Sequence, residues 1–331
     1  MLNTYLHLNT KLFDKDVEQK PTRDGYGEGI VHLGLTNPDV VVLTADLSES
    51  TRCEEFAKKF PERFFECGVA EQNMAAVAAG LAVTGKIPFI TSYATFSPGK
   101  NWETIRTTIV YNRANVKVAG HHSGIVTGPD GATHQATEDI ASVRSWPDIR
   151  VVIPCDYIEA KKATIYAGET EGPFYLRFTR DKTPVITTEK TPFEKEKIQT
   201  FWVSENPVAT IFGTGHLLYY ALLAARNLEK KGINVLVANV SSIKPLDGEK
   251  AVELAQKTGA VVAVEDHQTT GGLGGALAEY FAKTKPVPME FIGLADTFAE
   301  SGSALELIKK YGMDETAIEK AVEKIIERKA K

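Results

Sequence analysis

Between residues 40 and 120 short apolar runs recur at regular intervals, and each is followed by a stretch of helical character. Val40, Val41, Val42 and Leu43 form a continuous run of the kind buried on both faces of a parallel sheet, and 51–60 reads as the helix after it. The alternation goes on with a strand near Phe64, a helix over 71–83, a strand over 87–90, a helix near 102–111 and a strand over 116–119. Ahead of these, Pro21-Thr22 marks a helix start whose pattern stops at Asn37-Pro38. A loop rich in Gly and His, 120–135, interrupts the rhythm. After it come a helix over 137–145, a strand over 150–153, a helix over 158–167 and a strand over 174–178.

Residues 183–206 lose this periodicity. They carry Pro184, Pro192 and a charged cluster at 194–197, and read as a linker between domains at 20–182 and 207–331. The second domain repeats the alternation, with strands at 209–212, 235–240, 261–264 and 291–293 and helices at 216–231, 248–257 and 273–283, then two closing helices. The expected class is α/β, as two consecutive open and mostly parallel sheets. Residues before Pro21 read as a polar lead-in, and the charged stretch 323–331 as a solvated end.

A formal charge of −5 removes the electrostatic case for a nucleic acid or an anionic membrane as partner, and no apolar run approaches the length of a bilayer span. A cytoplasmic, small-molecule role fits the absence of a signal pattern at the N-terminus. Cys53, Cys67 and Cys155 are too few and scattered for a disulfide framework or zinc site, so buried free thiols are expected.

Chemistry concentrates in two stretches. Phe64-Phe65-Glu66-Cys67-Gly68-Val69-Ala70-Glu71 runs from a strand through a glycine into an alanine-rich helix, with Glu71 at the junction, where a carboxylate is either a solvated first-turn glutamate or a buried functional one. The loop 120–135 holds His121, His122 and His134 beyond the carboxyl end of a strand, where ligands collect in open α/β sheets. His122, Asp130 and His134 could supply three metal ligands, but hydrogen bonding to a hydroxylated or phosphorylated substrate is the stronger reading, helped by Arg180 at the end of the last strand of the domain. Gly213-Thr214-Gly215-His216 lacks the full dinucleotide-binding spacing and reads as a close turn.

Thr44-Ala45-Asp46-Leu47, Gly68 to Met74, Tyr93-Ala94-Thr95-Phe96 and Gly128-Pro129-Asp130-Gly131-Ala132-Thr133-His134-Gln135 together resemble the transketolase family, in its pyrimidine-binding domain followed by its C-terminal domain. The resemblance runs from about Arg23 to about Ile326 and implies the C-terminal subunit of a split transketolase. It implies thiamine diphosphate as cofactor, with Glu71 at N1′ of the aminopyrimidine favouring the tautomer that takes the C2 proton. Burial would let that carboxyl share a proton with the ring. Phe96, with Tyr93 beside it, matches the ring-stacking aromatics, and Asp46 a residue near the thiazolium. Arg23, Ser50, His122 and Arg180 fall at the phosphate-contacting positions. Asp130 and the catalytic His134 fall where the sugar hydroxyls are contacted. Gln72, Asn73 and Gly99 depart from the common pattern.

The family's Gly-Asp-Gly metal module has no counterpart in this sequence. The resemblance therefore implies an N-terminal companion subunit that holds the diphosphate through magnesium or calcium, self-association into a heterotetramer, and transfer of a two-carbon ketol unit between sugar phosphates. Alternatives within the enzyme class are a relative that condenses pyruvate with glyceraldehyde phosphate (1-deoxyxylulose-5-phosphate synthase-like) and a 2-oxoacid dehydrogenase E1 beta-like subunit. Outside it stands a non-catalytic structural subunit.

Overall fold

The computed structural model describes residues 1–329. The first half carries β1 (Gln19–Lys20), α1 (Thr22–Thr36), β2 (Val40–Thr44), α2 (Glu54–Lys59), β3 (Phe64–Glu66), α3 (Glu71–Val83), β4 (Ile87–Tyr93) and α4 (Trp102–Thr104), which continues as a π-helix over Ile105–Val110. Then follow β5 (Lys117–His121), α5 (Asp139–Arg144), β6 (Arg150–Val152), α6 (Tyr157–Glu169), β7 (Phe174–Arg177) and β8 (Thr183–Pro184). The second half carries β9 (Gln199–Trp202), β10 (Ala209–Gly213), α7 (Leu218–Lys230), β11 (Val235–Asn239), β12 (Ser242–Lys244), α8 (Gly248–Thr258), β13 (Val261–Gln268), α9 (Leu273–Lys283), β14 (Met289–Leu294), α10 (Ala304–Lys310) and α11 (Glu315–Lys329).

The first sheet has the order β12-β6-β7-β5-β4-β2-β3 and the second β14-β13-β10-β11-β9. Within them only β12 and β9, each at an edge, run antiparallel to a neighbour. All five residues of β2 are buried, as its unbroken apolar run requires in a strand covered on both faces. Leu33 and Ile30 of α1, Phe56 of α2 and Ala160 and Ala163 of α6 fill the core on one face. On the other face Met74, Ala75 and Ala78 of α3 and Ile140 of α5 belong to a core that runs on into the second sheet through Leu236, Leu254 and Phe281.

Several expectations are corrected. The stretch at 51–60 is helical only over α2, because Arg52 has φ +63° and turns the chain before it. Strands β9 and β12 have no periodic signal: β9 falls within the irregular stretch 183–206, and β12 leaves the second half to pair with β6 of the first sheet. The lead-in is not free. Leu8 and Leu12 are buried in the core of the second domain, and the amide of Asn3 donates to the carbonyl of Phe201 at 2.8 Å. At the other end Val322 and Ile325 of α11 are buried, so the stretch 323–331 is not simply solvated; its last two residues lie outside the described ones. All three cysteines are free, with Cys53 and Cys155 buried and Cys67 only partly so. Among the described residues no helix is long and apolar enough to cross a membrane.

Candidate active site at the carboxyl edge of the first sheet

The parallel order puts the carboxyl ends of β3, β2, β4, β5 and β7 side by side, and each is followed by one of the residues singled out in the sequence. Glu71 follows β3, Asp46 follows β2, Tyr93 and Phe96 sit at the end of β4, His122 follows β5 and Arg180 follows β7. Four strand spacings separate the ends of this row, about 19 Å at ~4.8 Å per step.

At one end Glu71 opens α3 and is 2% exposed. The amide Nδ2 of Asn101 donates to its backbone carbonyl at 3.0 Å and to Ser97 Oγ at 3.2 Å, tying the loop after β4 to the first turn of the helix. The side chain has a partner that no pattern in the sequence announces: Nζ of Lys100 donates to Oε2 at 2.7 Å. A carboxylate read from the sequence as sharing a proton thus carries a cation. Among the described residues Lys100 is the only hydrogen-bond partner of the Glu71 carboxylate, and Oε1 has none. Gly99 is demanded by the same loop, since a Cβ there would stand 2.0 Å from the carbonyl oxygen of Thr95. No aromatic side chain fits at that position.

In the middle of the row four rings assemble. Tyr93 stacks on His122 with centroids 3.8 Å apart and lies 5.8 Å from Phe96 at an interplanar angle of 17°. His134 meets Phe96 edge-on at 5.4 Å, and its Nδ1 is 2.8 Å from Thr133 Oγ1. His121 is different. It ends β5, is fully buried, and packs between Tyr26 and Phe178 at 4.7 and 5.1 Å, so it belongs to the core rather than to the ligand groups of the loop. Asp46 is exposed, with φ +60°, and its amide donates to Glu66 Oε1 at 2.8 Å. The same Glu66 oxygen accepts from the amide of Gly68 at 2.9 Å, so it pins the turns after β2 and β3 together.

At the far end the cations gather. Thr22 at the start of α1 and Thr179 after β7 pair through their hydroxyls at 3.0 Å, which brings Arg23 and Arg180 to one place. Both line a cavity of about 380 Å³ with Thr127, Asp181 and, from the second domain, Ser303. Burial, with Arg52 and Arg180 nearby, lowers the Arg23 guanidinium from its ordinary value. Burial and the charges of Arg23 and Arg180 push His122 down to about 3, so the ring is neutral near pH 7. Two of the residues singled out in the sequence have partners within the chain here. Ser50 meets Arg23 through its carbonyl at 2.9 Å, and Asp130 pairs with Arg180 at 3.1 Å. His122, Asp130 and His134 do not assemble as metal ligands, and among the described residues no group of three or more His, Cys, Asp or Glu is placed to hold an ion. Arg52, bound to Asp24 at 2.8 Å, and Glu66 join Lys100 as residues that the sequence reading passed over. All three contacts join residues 20 or more positions apart, where no periodic signal exists.

Two sheets in this order, with an acidic residue at the start of one helix and rings and arginines along one edge, define a protein of the transketolase family, to which the chain belongs. Residues 18–185 match the family description "Transketolase, pyrimidine binding domain" and residues 201–318 "Transketolase, C-terminal domain". The chain is more particularly similar to split subunits. It is 42% identical to a protein of Methanocaldococcus jannaschii named as a transketolase C-terminal section, across 92% of this chain and 95% of that one. It is 35% identical to a 6-deoxy-6-sulfo-D-fructose transketolase subunit of a Clostridium species, across 96% and 98%. A solved split-gene transketolase, described as an inactive β4 tetramer, superposes with a TM-score of 0.85 at 40% identity, across 94% of this chain and all of that one. Against the human transketolase, 33% identical, the chain spans 49% of the length.

Proposed function

We propose that this chain is the C-terminal subunit of a cytosolic split transketolase. With an N-terminal companion it moves a two-carbon ketol unit from a ketose phosphate to an aldose phosphate. The observation that carries the reading is Glu71, buried at the start of α3 with Oε1 unpartnered, in one row with the ring cluster and the arginine pair.

The residues fit the family's cofactor, thiamine diphosphate. A planar aminopyrimidine suits the stack of Tyr93 and Phe96, and a ring nitrogen suits a buried carboxylate. Bound there, the cofactor would supply carbanion and electron-sink chemistry at C2. Glu71 would hold the proton at N1′, and Asp46 would contact the thiazolium part. His134 and Asp130 bind the sugar hydroxyls. Arg23, His122 and Arg180 hold the phosphate, and Ser50 steadies Arg23 through its carbonyl. Arg23 Nε and His122 Nδ1 are buried without partners among the described residues, as unmet polar atoms are where a polar ligand binds. Asp130 meets Arg180 through Nη1, and the other nitrogens of the guanidinium face a phosphate without competition from it.

The companion supplies the diphosphate and metal module that this sequence lacks, with magnesium or calcium as the ion. The outward face of α3 supports such a contact and self-association toward a heterotetramer. Ala76, Val77, Gly80 and Val83 lie on it in succession with no charged side chain between them. The test mixes the chain with candidate companions, thiamine diphosphate and magnesium, and assays xylulose 5-phosphate with ribose 5-phosphate. Activity is expected only in the mixture. Micromolar, magnesium-dependent binding of the cofactor to this chain alone, seen by calorimetry, overturns the division of labour.

A further inference from the structure

The Lys100–Glu71 pair is unequal. The carboxylate is 2% exposed, whereas the lysine side chain is 45% exposed and reaches inward with its ammonium alone. An ammonium is a compact point charge that engages one oxygen, unlike a guanidinium fork, and here it takes Oε2 only. The amide of Lys100 donates to the carbonyl of Phe96 at 3.0 Å, so the stacking ring and the cation belong to one turn. That turn is fastened to α3 through Asn101 and the backbone of Glu71. The elements packed against α3 offer no rival. β2 and β4 contain no charged residue, and Glu103 and Arg106 on the helical segment after Asn101 are exposed and paired with neither group.

We infer that Lys100 is a positioning residue for Glu71: it anchors the carboxylate by Oε2 and thereby presents Oε1 to the aminopyrimidine. The inference rests on the proposed function and adds to it the residue that orients its central acid.

Two measurements test it. In the chain alone, thermal midpoints are compared for the wild type, Lys100→Met, Glu71→Gln and the double variant. Lys100→Met lowers the midpoint because it strands a buried charge, and the double variant recovers part of that loss. Strictly additive losses overturn the pairing.

In the reconstituted complex, hydrogen–deuterium exchange at C2 of the bound cofactor is followed beside the dissociation constant of thiamine diphosphate. Without its anchor at Oε2 the carboxylate no longer holds Oε1 toward the ring, and exchange in Lys100→Met falls about tenfold. Lys100→Arg restores it only in part, because a guanidinium fork engages both carboxylate oxygens. Wild-type exchange in Lys100→Met overturns the inference, and tighter cofactor binding beside it would mean that Lys100 merely occupies the place of the ring. The two readings fail separately: wild-type exchange in Glu71→Gln sinks the role of Glu71 itself, whereas loss in Glu71→Gln with wild-type exchange in Lys100→Met sinks only that of Lys100.

Discussion

Oδ1 of Asp266, near the end of β13 in the second domain, accepts a hydrogen bond from the amide of Ile125 at 3.0 Å. Its neighbour Gly124 has φ +75°, and a Cβ there would stand 2.0 Å from Asp266 Oδ2, so the chain passes this carboxylate at a distance only glycine allows. Nη2 of Arg177 donates to the carbonyl of Asp266 at 2.8 Å while its guanidinium pairs with Asp139. Burial alone would push Asp139 up, but Arg177 holds it below its ordinary range. The second domain thus grips the histidine-bearing loop by its first turn.

Asp266→Ala should leave the amide of Ile125 without its acceptor, at a cost of about 1–3 kcal/mol. The expected result is a lower thermal midpoint together with faster proteolysis inside 121–135. A lower midpoint with unchanged cleavage there would show that the loop is held by other means.

Arg180→Ala removes a charge-assisted phosphate contact worth roughly 1.5–3 kcal/mol, which predicts a 10- to 100-fold loss in kcat/KM for phosphorylated acceptors. Glycolaldehyde should be nearly unaffected. Equal losses for ribose 5-phosphate and glycolaldehyde in Arg180→Ala would make that arginine structural.

Glu71→Gln keeps size and a hydrogen bond but loses the shared proton, so C2 deprotonation in the assembled complex should slow by about 10²- to 10⁴-fold. Co-elution of the two subunits checks that assembly survives. An assembled variant that exchanges at the wild-type rate would return Glu71 to the role of a helix-start glutamate.

Glu159 on α6 joins the two domains: its Oε1 accepts from Asn239 Nδ2 at 2.7 Å and its Oε2 from the amide of Cys155 at 2.6 Å. Burial pushes this carboxyl up from 4.5 to about 7. The folded chain then keeps a proton that the unfolded chain releases near 4.5, so the contribution is fully present below that pH and is lost as pH rises to about 7, by at most ~3 kcal/mol. Glu159→Gln should flatten the fall in thermal midpoint across that window. An unchanged slope would refute the assignment.

The parallel core was legible because strands buried on both faces write themselves as apolar runs, as Val40 to Leu43 do. Glu71 stood out for the same reason, as a charge at the rim of an alanine-rich helix. What escaped the reading lies at edges and in pairings. β12 joins the first sheet from the second half, and its three residues have no period to detect. Lys100 is 29 residues from Glu71, and Ser50 acts through a carbonyl that every residue possesses. The inward turn of His121 depends on the strand running two residues further than its apolar pattern.

Because the first residues of the chain complete the core of the second domain, Asn3 and its acceptor, the carbonyl of Thr200, are separated by 197 positions. At a synthesis rate of ~5–20 residues per second, Leu8 and Leu12 leave the ribosome roughly 10 to 40 s before their partners exist. The first domain must therefore fold while the segment ahead of it waits unpaired, and closing so long a loop makes the second domain the slower of the two to finish.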